Sequence, residues 1–285
     1  MKAIAFATFR EVLRKKLFYL VGFITLVYLI LFSLITYYAS SSIKEGINGS
    51  YIQIIGIVSQ VVSFFGFYFA SMLVAFLTVM SSLGAISTEI ENGTIHAIIT
   101  KPIKRWEYVA GKFTGLSVLM VGYSIFLYLS IFIICAAFGL PMLDRLGMPQ
   151  LLKGLSLFIL LPVSILSLSI MGSACFKTLS NGIMVISIYI LGLIGGMMEQ
   201  IGSILPNGQA VYYWGIFTSF LSPFDAIYRK MQAELFSVFG MSNIFFGHQI
   251  SGNTEPSGYM TAYFFIYTGI LLTIGIRNFS KRDIT

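Results

Sequence analysis

The sequence predicts an all-α integral membrane protein with six transmembrane helices, and three observations carry that reading. Of its 285 residues, 57% are hydrophobic and only 10% are charged, whereas a soluble domain has about 25% charged residues. The mean hydropathy is +0.87. Charge-free apolar runs long enough to cross a bilayer recur from end to end. The net charge of +7 does not point to nucleic acid, because the basic residues stand at the ends of the apolar runs, where they meet a membrane surface.

Residues 2–16 come first. Phe6, Phe9, Val12 and Leu13 fall on one face of a helical wheel, with Thr8, Glu11, Arg14 and Lys15 on the other. This predicts an amphipathic helix lying along the membrane interface. The next run, Leu17–Ala39, is too long for a signal-peptide core and is expected to stay as the first span. The six spans are placed at 17–39, 58–86, 112–139, 152–176, 182–205 and 259–279, with an interfacial lead-in at 51–57 before the second. Pro162 falls inside the fourth, where neighbouring helices can satisfy the freed carbonyl. With six spans, 13 of the 18 basic residues share one side with both termini. The positive-inside bias makes that side the cytoplasm, and the expected location is the cell (inner) membrane. Cys135 and Cys175 lie within spans and read as packing residues.

Between the second and third spans, residues 87–112 gather seven of the chain's 29 charges. Thr88-x-x-Glu91 has the capping-box pattern, Asn92-Gly93 breaks the helix it starts, and Thr94 can cap a second short one. Ile95, Ile98 and Ile99 would share one side of that helix, and Lys101-Pro102 would end it. Lys104, Arg105 and Trp106 mark the interface where the third span begins. A short helix held between two spans, with an isoleucine stripe in a polar loop, suits docking to another protein.

The spans themselves carry no ionisable residue near their centres, and Glu199, near the outer end of the fifth, comes nearest. Proton- or sodium-coupled carriers usually place such groups or broken helices at the midplane. No phosphate-cradling loop, H-E-x-x-H or G-x-S-x-G motif is present. We therefore expect a non-enzymatic chain with no metal or cofactor of its own, so any active transport must draw energy from another chain. The 13 methionines read as gap-fillers in apolar helices rather than metal ligands. Gly192-x-x-x-Gly196 allows two helices to approach closely.

Residues 206–258 form the longest extramembrane stretch. Gln209–Ser222 is too short to span and apolar enough to re-enter the membrane or lie in its outer interface. Ser222-Pro223 then opens a helix, with Asp225 in its first turn. Phe224, Ile227, Tyr228, Met231, Leu235, Val238 and Phe239 make its apolar stripe, and Gly240 closes it. Phe224, Asp225, Tyr228 and Met231 are the candidates for an outer gate or for contact with an extracytoplasmic protein, the lipid surface being the other occupant open to that stripe.

The run from Glu89 to Lys112 resembles the signature of exporter-type (type 2) ABC transporter permeases: an acidic residue (Glu89 or Glu91), Gly93-Thr94, the apolar Ile95–Ile99, Pro102, Arg105, and Gly111-Lys112 opening the next span. The six-span plan, the amphipathic start and the closing Arg282-Asp283 are similar too, so the resemblance covers residues 1–285 as one permease domain. Leu221–Lys230 is similar to the permease group associated with multicopper-enzyme maturation. The resemblance implies that the 87–112 loop is a coupling helix, with Glu89, Glu91, Gly93, Thr94, Ile95, Ile98, Ile99, Pro102 and Arg105 meeting an ABC ATPase subunit that binds ATP and magnesium. It also implies a second permease copy or homologue. The other function considered is an ATPase-coupled scaffold that drives an extracytoplasmic partner without moving a substrate.

Overall fold

The structure, a computed structural model, describes residues 2–45, 51–94, 104–140, 146–205, 207–236, 256 and 258–281. Among these are ten helices and no strand: α1 (Lys2–Arg14), α2 (Lys16–Glu45), α3 (Tyr51–Ser82), α4 (Ser87–Glu91), α5 (Arg105–Ala137), α6 (Met148–Cys175), α7 (Thr178–Ile204), α8 (Gln209–Leu221), α9 (Phe224–Phe236) and α10 (Gly258–Lys281). Six helices are long and apolar enough to cross a membrane: α2, α3 with its extension into α4, α5, α6, α7 and α10. The chain is a multi-pass helical membrane protein. The helix of the second span is continuous through the expected lead-in at 51–57.

Burial ranks these six. α6 is the most enclosed, and α2 and α10 are the least. Around α6, Phe67 and Val74 of α3, Tyr128 and Ile131 of α5, Phe224 and Met231 of α9 and Phe264 of α10 form one buried cluster. Pro162 is buried within α6, which carries through it. A second cluster lies at the end from which the 87–112 loop emerges. There Val12 of α1 meets Ile86, Val109, Leu116, Ile170 and Phe279. Large apolar side chains such as Phe23, Leu26 and Ile30 on α2 and Phe265 and Ile266 on α10 point outward. In water that would be a liability, whereas in hydrocarbon it costs nothing.

The wheel for α1 needs correcting. Its buried residues are Thr8 and Val12, while Phe6 is 55% exposed. Thr8 can face inward because its hydroxyl donates to the Ile4 carbonyl at 2.9 Å, leaving a methyl-bearing surface. α1 crosses α5 at Gly115, where an added Cβ would stand 2.5 Å from the Ala5 carbonyl oxygen.

α8 turns back antiparallel along the last half of α7. Tyr212 lies against Gly202, Glu199 against Gly215, Thr218 against Gly195, and Ser222 against Gly192. Thus Gly192-x-x-x-Gly196 serves packing within the chain. Ser222 does not cap α9 through its side chain: its buried hydroxyl lacks a partner, and its backbone N–H donates to Thr218, ending α8. Gly215 makes a close backbone approach from α8, since an added Cβ would sit 2.6 Å from the Glu199 nitrogen. We expect Gly215→Val to separate α8 from α7 and to cost about 1–3 kcal/mol. Thermal unfolding in detergent, compared with the exposed-site Gly122→Val control, measures it.

Candidate functional site

The site is built where the 87–112 loop leaves the bundle. α3 ends at Ser82, and a short turn leads into α4. The first backbone N–H groups of a helix have no partner within it. Here Ser173 of α6 supplies one, its hydroxyl oxygen accepting from the N–H groups of Ile86 at 2.9 Å and Ser87 at 2.8 Å. The Asn181 amide donates to the carbonyls of Leu83 at 2.8 Å and Ser169 at 3.1 Å, binding the turn to α6 and α7. The expected capping box is therefore not formed. Thr88 lies inside α4, whose cap position is Ile86 with no side-chain bond.

The two glutamates go to opposite sides. Glu89 receives the Lys112 ammonium and the Tyr108 hydroxyl, both from α5. Lys112 is only 5% exposed, eight residues into α5, so it is a buried partner rather than the flank of a span. It also reaches Glu11 of α1 at 3.3 Å, and Glu11 pairs with Lys15 at 3.0 Å. Burial alone would raise the Glu11 carboxyl, but Lys112 and Lys15 outweigh it and hold the group below its ordinary range. Glu91 turns to α7. Its carboxylate accepts from the Thr178 backbone N–H at 2.8 Å and from the Thr178 hydroxyl at 3.2 Å. Thr178 is the first residue of α7, so Glu91 caps that helix from across the bundle and meets the positive end of its dipole.

Past α4 the chain turns at Gly93, whose φ of 68° lies in the left-handed region that a side chain would disfavour. The Thr94 hydroxyl, expected to cap a following helix, donates back to the Glu89 carbonyl at 3.2 Å. Ile95, Ile98, Ile99 and Pro102 lie outside the described residues, as do Val238, Phe239, Gly240 and Arg282-Asp283. On the returning side, Arg105 donates to the Ser280 carbonyl at 2.8 Å in the last turn of α10, and Tyr108 stacks on Phe279 with centroids 5.5 Å apart. The described sequence-predicted residues thus tie the loop to α5, α7 and α10, and Lys112 extends the tie to α1. Sequence reasoning missed Lys112 as a buried charge, Thr178 and Ser173. Of these, only Lys112 gave a signal, as a lysine placed beyond the basic flank.

A second cluster of charge lies where α8 and α9 meet α7. Arg229 donates to Glu199 and to Asp225, each at 2.8 Å, and Glu199 also accepts from the Ser219 hydroxyl. Both Arg229 and Glu199 are buried. Burial pushes the Asp225 carboxyl up to about 6 against the pull of Arg229, and the Glu199 charge adds to the rise. Arg229 is thus a buried charge of α9, paired with the Glu199 that the sequence places near the end of the fifth span. Phe224, Tyr228 and Met231 are buried in the chain's own core instead of being displayed to an outside protein. The reason is the α8 turn, which brings the α9 stripe down onto α6.

Between α2, α3 and α7 opens a groove of about 960 Å³. Phe32, Phe65, Phe69 and Phe76 dominate its walls, and Tyr28 and Tyr189 add hydroxyls.

Six helices long and apolar enough to span, packed about a buried α6 and with one charged loop tied into several of them, define a polytopic helical membrane protein. The ABC-2 family transporter protein model matches residues 3–284. The chain belongs to that family and is a permease component of an ABC transporter. No curated protein matches it.

Removing Lys112 leaves two carboxylates facing each other without their cation. We expect Lys112→Met to cost about 2–4 kcal/mol, less than for a fully enclosed pair because Glu11 is half exposed. The double variant Glu89→Leu/Lys112→Met should recover part of that loss in detergent unfolding.

Proposed function

We propose that this chain is the membrane subunit of an ATP-driven exporter, powered by a separate ATPase that docks on the 87–112 loop. ATP and magnesium bind that partner, and the loop and both termini face the cytoplasm of the cell. The observation that carries the reading is the anchoring of the loop on two sides, through Glu89 to Lys112 of α5 and through Glu91 to Thr178 of α7. A connector needs neither tie. A loop that must pass a displacement into the membrane needs both, because movement of α4 then reaches α3, α5 and α7 together.

Two of those helices, α3 and α7, line the apolar groove. Docking and release at the loop would change its width. The walls suit the hydrocarbon part of an amphiphile, which supports a transported molecule entering from the bilayer rather than from water. A second permease copy completes the pathway.

Two substitutions test this reading at different points. Ile98→Asp should abolish recovery of the ATPase with the tagged chain from its membranes while the spans still insert. An undiminished ATPase yield in that variant removes the loop as the docking element. Glu91→Ala should leave docking intact but sever the tie to α7. ATPase activity then persists, while its stimulation by substrate falls at least tenfold. Full stimulation would show that α7 is not driven through Glu91.

A further inference from the structure

The outward side of α1 carries a pattern that neither the ties of the loop nor the groove uses. Lys2, Phe6, Arg10 and Arg14 follow one another at intervals of four, so they form a single column along the helix, and all four are exposed. The opposite side is the one fixed to α5, through Thr8 and Val12. The Arg10 guanidinium lies 4.3 Å from the centroid of the Phe6 ring. Lys16, also exposed, extends the basic surface across the bend at Lys15.

Glu11 is the one acidic residue in this segment, and Lys112 and Lys15 engage it. Among the described residues, none of Lys2, Arg10, Arg14 or Lys16 is ion-paired with a carboxylate. The next residues enter α2, a candidate span from Lys16. The column therefore stands at the level of lipid headgroups. Cations there seek phosphate, while an exposed phenylalanine among them seeks acyl chains. A purely acidic protein surface would match the cations and leave Phe6 unexplained.

We propose that α1 is a docking surface for anionic phospholipid headgroups, and that Glu11 relays its occupancy to the 87–112 loop. The relay is short. Glu11 on α1 shares Lys112 with Glu89, and Glu89 sits in α4 at the root of the loop. A lipid that draws α1 toward the headgroups changes how firmly Glu11 holds Lys112, and so how firmly Lys112 holds Glu89. Nothing in this step depends on the identity of the ATPase or of the transported molecule.

The test uses the purified full chain without a partner. Retention of phosphatidylglycerol against phosphatidylcholine is measured by native mass spectrometry, and amide exchange is followed in nanodiscs of either composition. The wild-type chain should prefer phosphatidylglycerol. Arg10→Gln/Arg14→Gln should weaken that preference by about 25-fold, at about fivefold per cation lost near an anionic surface. Arg10→Lys/Arg14→Lys should keep it, which separates charge from folding. In phosphatidylglycerol nanodiscs the exchange of residues 83–94 should slow, and Glu11→Gln should abolish that response while the lipid is still retained.

An unchanged preference in the Arg10→Gln/Arg14→Gln variant overturns the lipid surface. So does loss of a co-purified protein in that variant with lipid retention intact, because the column would then belong to a protein partner. A response at 83–94 that survives Glu11→Gln overturns the relay. Nanodiscs present both leaflets alike, so none of these results turns on which side of the membrane α1 occupies.

Discussion

The end of the bundle that carries the loop is organised by a single buried ammonium. Lys112 is held by Glu89 and Glu11 from two other helices, with the Tyr108 ring 5.9 Å away. Desolvating a lysine is costly, and the cost is offset only when carboxylates complete its surroundings. That requirement fixes the root of α4, the crossing of α1 over α5 and the depth at which α5 starts. Shape complements charge at the crossing, because Gly115 lets the backbone of Ala5 approach closely enough for Glu11 to reach. Without the charge, α1 would be an amphipathic helix resting on lipid. With it, α1 becomes part of the permease.

The far end solves a related problem with the same arrangement of signs. Arg229 is the buried cation between Glu199 and Asp225, and again its partners lie on different elements, α7 and α9. Here the close approach comes from glycines on α7 and α8, which let α8 fold back far enough for Ser219 to meet Glu199. Both clusters place a cation between two carboxylates of separate segments. Such triads are directional fasteners between helices whose lipid-facing surfaces give no preference for one neighbour over another.

The number and rough limits of the spans were legible because they rest on a local property, the length of uncharged sequence. Leu17–Ala39 became Lys16–Ser41, and 259–279 became Gly258–Lys281. The site was legible only in outline. Gly93 followed the turn chemistry of Asn-Gly, and Glu89 and Glu91 were both singled out, but nothing local says which helix each one reaches. Thr178 is 87 residues from Glu91, and Ser173 is 87 from Ile86. The α1 wheel placed Phe9, Val12 and Leu13 correctly and failed at Thr8 and Phe6 for a similar reason. Thr8 and Phe6 were assigned by polarity, yet a threonine that bonds its own helix is apolar to a neighbour, whereas a phenylalanine beside arginine is at home among headgroups.

These failures share one physical origin. In a water-soluble helix, polarity tells inside from outside, because the solvent penalises exposed hydrocarbon. In a bilayer the outside is also apolar, so polar groups collect wherever another segment can satisfy them. Asn181 illustrates the reversal: fully buried, it donates to two carbonyls on two different elements. Serine does the same at position 173, where one hydroxyl serves two backbone N–H groups of a turn that its own helix does not contain. Hydrophobic stripes on such a chain therefore mark lipid and core alike. The polar residues between them, rather than the stripes, mark where helices meet, and it is through such residues that a displacement of the loop would reach the spans.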